Sequence, residues 1–252
     1  MAAPPTPNVV TVHAKDFAFD APGSIPAGMT TFRLINDGPN FHHMSIVRLD
    51  SAKTFDDLKA AIAKPGPFPA WAVPVGGPNA PDPGSESNAT MDMTAGNYAV
   101  MCFVDVPGGV PHFTKGMLQP LTVTPSGGPT AAAPASDITI SMSDYAFTLS
   151  APVTAGTHTF KVVGSGQPHE IEVIRLAPGK TAQDMMNWLQ KPAGPPPGSG
   201  IGGVAGVQPG AAPVYFTADM TPAEYLLICF APDAKDGKPH FTKGMMQTIK
   251  VD

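Results

Sequence analysis

The chain has few charged residues, and it lacks both basic clusters and long apolar runs. Only 14% of its 252 residues are charged, and the formal net charge is −5. A nucleic-acid-binding surface needs concentrated positive charge, so we expect no nucleic-acid partner. No apolar stretch reaches the ~18 residues that a membrane-spanning helix requires, so we also expect no membrane span.

Cysteine is scarce as well, since Cys102 and Cys229 are the only two. Two cysteines cannot form the multiple cross-links of a small disulfide-rich domain. A single bridge between the two halves of the chain is one alternative, and a pair of inert buried thiols is another. The same placement of one cysteine in each half instead favours one chemical task that is carried out twice.

Proline and glycine, in contrast, are abundant, at 31 and 26 residues. With 42% hydrophobic residues arranged in alternating blocks, this composition indicates a folded, loop-rich β protein and not a disordered chain.

An internal repeat divides the chain. The heptapeptide PHFTKGM occurs at 111–117 and again at 239–245, and most other residues align at a spacing of 127. A small, uncharged stretch, PSGGPTAAAPAS, lies between the two copies. We therefore predict an N-terminal domain at 1–125, a linker at 126–136 and a C-terminal domain at 137–252.

Alternation of apolar and polar residues predicts six strands in each half. We expect an all-β protein of two tandem antiparallel Greek-key β-sandwiches, each with one short helix and long Pro/Gly-rich loops. Thr54 and Thr181 are the predicted N-caps of the helices, and Pro65 and Pro192 are expected to end them. The segments 65–88 and 192–213 show no regular pattern. The predicted strands are Val9–His13, Thr30–Asn36, Met44–Leu49, Ala89–Met93, Tyr98–Val104, Leu118–Val123, Ile138–Met142, Thr157–Val163, Glu170–Leu176, Val214–Met220, Tyr225–Phe230 and Met246–Val251.

Each half carries the same four candidate metal ligands, two histidines, a cysteine and a methionine. His42 precedes Cys102 by 60 residues, and His169 precedes Cys229 by the same number. A thiolate, two imidazoles and a weak axial thioether form the ligand set of a type 1 (blue) copper site. The predicted ligands are His42, Cys102, His112 and Met117 in the first half and His169, Cys229, His240 and Met245 in the second.

These motifs resemble the cupredoxins, the family of plastocyanin, azurin and the type 1 copper domains of multicopper oxidases and nitrite reductases. The resemblance covers nearly the whole chain and rests on a turn ending in histidine, followed by a Cys-loop-His-x4-Met run. It implies two copper ions, electron transfer to and from redox partner proteins, and a periplasmic or secreted location. It also assigns the electron exit to His112 and His240. Plastocyanin and azurin place asparagine after the first histidine, whereas this chain has His43 and Glu170 there.

Alternatives to an electron carrier are copper storage or delivery, and an enzyme of the oxidase or nitrite reductase type. After the eight ligands are assigned, the histidines left are His13, His43 and His158. Three histidines are too few for the trinuclear copper cluster of the oxidases, and a further copper site would need ligands pooled between subunits. We therefore predict that the protein is not an enzyme. His43 is the alternative to His42 as the first ligand, and strand alternation favours His42.

Overall fold

The computed structural model describes residues 5–64, 66–106 and 109–252. The chain forms two successive β-sandwiches, with no regular element between Thr124 and Ile138. The first half contains helix α1 (Phe55–Ile62), a 3-10 turn at His112–Lys115 and the strands β1 (Asn8–Lys15), β2 (Ala18–Asp20), β3 (Ser24–Pro26), β4 (Gly28–Asn36), β5 (Ser45–Leu49), β6 (Ala72–Gly76), β7 (Glu86–Met93), β8 (Gly96–Met101), β9 (Asp105–Val106), β10 (Val110–Pro111) and β11 (Leu118–Thr124).

The second half repeats this order with fewer short strands. It contains helix α2 (Ala182–Gln190), a 3-10 turn at His240–Lys243 and the strands β12 (Ile138–Ser143), β13 (Ala146–Leu149), β14 (Gly156–Gly164), β15 (His169–Leu176), β16 (Gly198–Val207), β17 (Val214–Met220), β18 (Ala223–Ile228) and β19 (Met246–Val251). The predicted all-β class, with two sandwiches and one short helix in each, is confirmed.

Each sandwich packs one face of a sheet against another. In the first half, one sheet has the strand order β7-β4-β1-β2 and the other β3-β11-β8-β5-β6; in the second, the orders are β13-β12-β14-β17 and β16-β15-β18-β19. Alternate residues of β1, Val10, Val12 and Ala14, point into the core. The period of two along each strand therefore separates the core face from the solvent face.

The sheets that carry β1, β3 and β12 are mixed, which corrects the expectation of a purely antiparallel fold. Strand β1 pairs with β4 in parallel, and β12 pairs with β14 in the same way. In the first half the chain leaves β1 and passes through β3, in the opposite sheet, before it enters β4. Because that connection crosses between the sheets, β1 and β4 can run in the same direction.

All twelve predicted strands are present, and the structure adds several that the sequence pattern did not indicate. Two of these, β6 and β16, lie in the segments 65–88 and 192–213. Strand β16 has the sequence GSGIGGVAGV, and glycine both weakens strand propensity and hides the alternation. The contacts that fix these strands are tertiary.

Both helices begin at the predicted N-caps. Thr54 and Asp57 form a capping box at α1, and Thr181 and Asp184 form the equivalent one at α2. Each helix covers the outer face of the sheet that carries β8 or β18, and Leu58 and Met185 are its buried contacts. Pro65, which was expected to end α1, lies outside the described residues. Within the described part of the chain, neither helix has the length and apolarity needed to cross a membrane.

The two halves join edge to edge. Strand β7 pairs with β17, so that one sheet of each half merges into a single eight-stranded sheet. Tyr215 lies opposite Thr90 in this pair. Beyond it, the Asn88 side chain donates to the carbonyl of Thr217 at 2.7 Å and accepts from its amide at 2.9 Å.

A second contact joins residues 77–82 of the first half to strand β16. The Asn79 amide donates to the Gly203 carbonyl at 3.1 Å, and the Ala205 amide donates to the Gly77 carbonyl at 2.9 Å. Pro78 is bridged to Val204. Gly77 and Gly203 are equivalent, since they pack against the carbonyls of the equivalent residues Met44 and Ile171. The contact therefore maps onto itself when the halves are exchanged, as in a twofold dimer.

Glu172 is a buried acid at this contact between the halves. Its Oε2 accepts from the Ala80 amide at 3.0 Å, while its Oε1 is buried with no partner among the described residues. Burial, reinforced by the carboxylates of Glu170 and Asp82, raises the pKa of Glu172 well above its usual value. Burial therefore favours the protonated, neutral form of Glu172 in the folded protein.

Replacing this acid gives a test of the interface. A raised folded-state pKa means that wild-type stability is lost as pH rises above about 4.5 toward the folded-state value. Glu172→Gln removes that loss, so the variant should gain stability over wild type as pH rises, by about 1.4 kcal/mol for each pKa unit by which folding raises the Glu172 pKa. Urea unfolding between pH 4 and 9 measures the difference. Glu224→Gln, at an exposed site, is the control, and parallel curves for wild type and Glu172→Gln would contradict the prediction.

Candidate metal centres

The four predicted ligands of the first half converge at one end of its sandwich. His42 lies just before β5, and Cys102 follows β8 directly. Because β5 and β8 are antiparallel neighbours, with Ser45 opposite Met101, the start of one strand lies beside the end of the other. His112 begins the 3-10 turn that follows, and Met117 immediately precedes β11, which also pairs with β8.

In the first centre, three ligand atoms lie close together. The Nδ1 atoms of His42 and His112 are 3.1 Å apart, and the Cys102 Sγ lies 3.6 Å from the His112 Nδ1. All three ligand atoms are within 4.8 Å of one another, and all three residues are buried.

The second centre has the same geometry. The Nδ1 atoms of His169 and His240 are 3.0 Å apart, and the Cys229 Sγ lies 3.6 Å from the His240 Nδ1. In the described part of the chain, these two His/Cys/His groups are the ones whose donor atoms are close enough to share an ion.

The methionines are tied to the other ligands through the main chain. The Cys102 amide donates to the Met117 carbonyl at 3.2 Å, and the Met117 amide donates to the His112 carbonyl at 3.1 Å. Met245 makes the same two bonds, with Cys229 and His240. Both methionine side chains are fully buried. The structure thus places each methionine next to its cysteine and histidine along adjoining backbone.

The donor chemistry fits a single metal ion in each centre. Burial raises the pKa of the Cys102 and Cys229 thiols to about 12, and burial lowers the pKa of the four ligand imidazoles. A cation reverses the first effect, because it stabilises the thiolate. Metal bonds of about 2.0 Å to nitrogen and about 2.3 Å to sulfur readily span the observed separations between the donor atoms.

Hydrogen bonds orient the first histidine of each centre. The His42 Nε2 lies 2.9 Å from an Asp16 carboxylate oxygen, and the His169 Nε2 lies 3.1 Å from the Ser165 carbonyl and 3.3 Å from an Asp144 oxygen. A proton held on Nε2 leaves the Nδ1 lone pair free for a metal. Asp16 and Asp144 were not among the predicted site residues. Their signal lies in KDFAF (15–19) and SDYAF (143–147), which recur at the 128-residue spacing that also relates His112 to His240.

The residues after the first histidines support the sulfur atoms. The amide of His43 hydrogen-bonds the Cys102 sulfur, and the Glu170 amide lies 3.4 Å from the Cys229 sulfur. The His43 Nε2 accepts from the Phe103 amide at 2.8 Å, and the Glu170 carboxylate accepts from the Phe230 amide. His43 therefore faces away from the centre. Burial lowers its pKa to about 4, and it braces the residue that follows Cys102.

The loop histidines are covered, although the resemblance assigned the electron exit to them. His112 is 3% exposed and His240 is 0% exposed. The Phe17 ring stands edge-on to His112 and the Tyr145 ring edge-on to His240, each with 5.4 Å between ring centroids. Phe17 and Tyr145 have φ angles of 65° and 66°, so each occupies a left-handed turn that non-glycine residues rarely adopt.

The imidazoles of the remaining histidines are not part of either His/Cys/His group. His13 pairs with Asp37 at 2.8 Å, and the His158 Nδ1 contacts the Asp137 carboxylate. Together with His43, which bonds Phe103, these residues each have their own local partner.

Comparison with known proteins gives distant structural likenesses. No family model matches the chain, and no curated protein matches it. Auracyanin A, a blue copper protein from Chloroflexus aurantiacus, is 22% identical over 47% of this chain and 100% of its own, with a TM-score of 0.33.

Two larger proteins of Nitrosomonas europaea match both halves. A blue copper oxidase is 16% identical over 98% of this chain and 86% of its own, with a TM-score of 0.31. A copper nitrite reductase is 13% identical over 98% of this chain and 94% of its own, with a TM-score of 0.30.

Proposed function

We propose that the protein binds one copper ion in each half and carries electrons between redox partner proteins. The observation that supports this most directly is the buried His/Cys/His group of each half, with Nδ1 atoms about 3 Å apart. The proposed ligands are His42, Cys102, His112 and Met117, and His169, Cys229, His240 and Met245.

The donor set favours copper over zinc. A structural zinc site closes with a fourth cysteine, histidine or carboxylate, and neither group contains one in the described part of the chain. The residue next to each group is a buried methionine, whose soft thioether suits copper as a weak axial ligand. Bound there, copper would supply a one-electron couple between its two common oxidation states.

The protein's own part in electron transfer is to hold the ligands still. Asp16 and the Ser165 carbonyl fix the first imidazoles, while His43 and Glu170 fix the chain beyond the cysteines. Ligands held by a rigid sandwich and by hydrogen bonds move little when the metal charge changes. An electron carrier requires ligands that move little, because small ligand movement allows fast electron transfer.

The two alternatives fit less well. Storage or delivery of copper needs exposed ligands from which the metal can be transferred to another protein, whereas these ligands are buried. An oxidase or nitrite reductase needs further copper ligands, whereas His13, His43 and His158 are separately engaged. We place the carrier in the periplasm or outside the cell, and we assign one copper site to each of the domains 1–125 and 137–252.

Removing either cysteine tests the two-centre assignment. Wild-type protein should bind two copper ions and show intense visible absorption. Cys102→Ser and Cys229→Ser should each bind about half as much copper strongly and lose one centre's share of the absorption, because a hydroxyl is a far poorer copper ligand than a thiolate. Metal analysis and visible spectra measure this. Full absorption in either variant would contradict the assignment of that cysteine.

Replacing the methionines tests the axial position. Met117→Leu and Met245→Leu should retain copper but shift the redox potential of their own centre, because the axial ligand tunes it. Stability should change by less than about 1.5 kcal/mol, since methionine and leucine are similar in volume. Met246→Leu, at the partly buried neighbouring position, is the control. Potentials that stay fixed in both test variants would place the thioethers outside the centres.

The carrier role also predicts an absence of turnover. Copper-loaded protein supplied with a reductant should be oxidised and reduced reversibly without consuming excess oxygen or nitrite. An oxygen electrode and a nitrite assay check this. Multiple turnovers per protein in either assay would establish an enzyme in place of a carrier.

A further inference from the structure

The two centres differ in what holds the aromatic ring over the loop histidine. In the second half the Tyr145 hydroxyl donates a hydrogen bond to the Asp233 carboxylate. In the first half the equivalent residue is Phe17, which has no hydroxyl and is 37% exposed. The distance between ring centroids is 5.4 Å for both aromatic–histidine pairs, so the difference between the halves is the hydrogen bond from the tyrosine hydroxyl.

Gln167 extends the hydrogen-bond network that holds Tyr145. Its side-chain amide donates to Asp233 at 3.3 Å, and its Oε1 accepts from the Ala234 amide at 2.7 Å. These bonds connect three segments that surround the second centre: the turn at 144–145, the turn that leads to His169 and the loop after Cys229. Asp233 is itself only 2% exposed, and its pKa is strongly lowered, first by the Tyr145 hydroxyl.

The first half lacks every part of this network. Phe17 stands in place of Tyr145 and Asn40 in place of Gln167. Val106 takes the place of Asp233, because the preceding residue, Asp105, pairs with Pro111 as Pro232 pairs with Pro239. Asn40 donates to Asp16, on its own side of the centre, at 2.8 Å. Valine offers no polar side chain to bond.

The ligand histidine beneath the network is buried. His240 is 0% exposed, whereas His112 in the first centre is 3% exposed. The His240 Nε2 is buried and has no hydrogen-bond partner among the described residues.

We propose that Tyr145, Asp233 and Gln167 form a hydrogen-bonded cover that closes the second centre, so that the second centre exchanges its metal more slowly than the first. The proposal rests on the proposed copper function. The residues of the cover position Tyr145 against His240 and do not themselves bind metal.

Release of copper to an excess of chelator tests the cover. Wild-type protein should release copper in a fast and a slow phase. Cys229→Ser keeps only the first centre and should show the fast phase, and Cys102→Ser keeps only the second centre and should show the slow phase. Tyr145→Phe should accelerate the slow phase roughly tenfold, since a hydrogen bond to a charged group contributes about that factor or more. The fast phase should not change.

Phe17→Tyr is the matched control. It adds a hydroxyl over His112, where Val106 offers no acceptor, so release from the first centre should keep its wild-type rate. Equal release rates from both centres of the wild-type protein, or a slow phase that Tyr145→Phe leaves unchanged, would overturn the proposal.

Metal-free protein provides an independent measurement. Hydrogen exchange of the Ala234 amide should be faster in Tyr145→Phe than in wild type, because that amide is held by Gln167. If Tyr145→Phe does not fold, Gln167→Ala should give the same acceleration. Protein that binds no copper would refute the proposed function, whereas unchanged exchange of the Ala234 amide in a folded variant would refute the cover alone.

Discussion

The antiparallel pairing of the strands that carry the first histidine and the cysteine is the constraint on which both centres depend. Ser45 lies opposite Met101 in the first half, and Glu172 opposite Ile228 in the second. This register brings residues 60 positions apart in sequence to one end of a sandwich. The loop after each cysteine then brings the second imidazole to the same end of the sandwich. Main-chain hydrogen bonds from Cys102 and Cys229 to the methionines hold that loop in position.

The two similar halves share an interface, and each carries one candidate centre. The strands at 72–76 and 198–207, together with residues 77–82, make the contact that relates the halves by approximate twofold symmetry. The same contact confines Glu172, whose buried carboxyl has one oxygen with no partner among the described residues. Two segments without a sequence pattern thus take part in joining the halves. Their strands pair with β5 and β15 of their own halves and also contact the other half, so tertiary contacts and not local preference stabilise them.

The centres have diverged in the residues that surround equivalent ligands. His43 and Glu170 both accept a hydrogen bond from the amide after the cysteine, although one is an imidazole and the other a carboxylate. Phe17 and Tyr145 both stand over the loop histidine, but only Tyr145 is fastened. The two centres thus have equivalent ligand geometry, but they differ in the charged groups nearby and in the hydrogen bonds that hold the covering ring. Each centre therefore has its own electrostatic environment and its own exposure to solvent.

The sequence by itself determined the repeat, the strands with clear alternation, both helix caps and the candidate ligands, because these depend on local periodicity and on residue types that recur at fixed spacing. Only the tertiary structure decided that His43 faces away from the centre, that the glycine-rich segment 198–207 is a strand, and that Tyr145 reaches Asp233, 88 residues away. These features depend on contacts between segments distant in sequence, which no local pattern encodes.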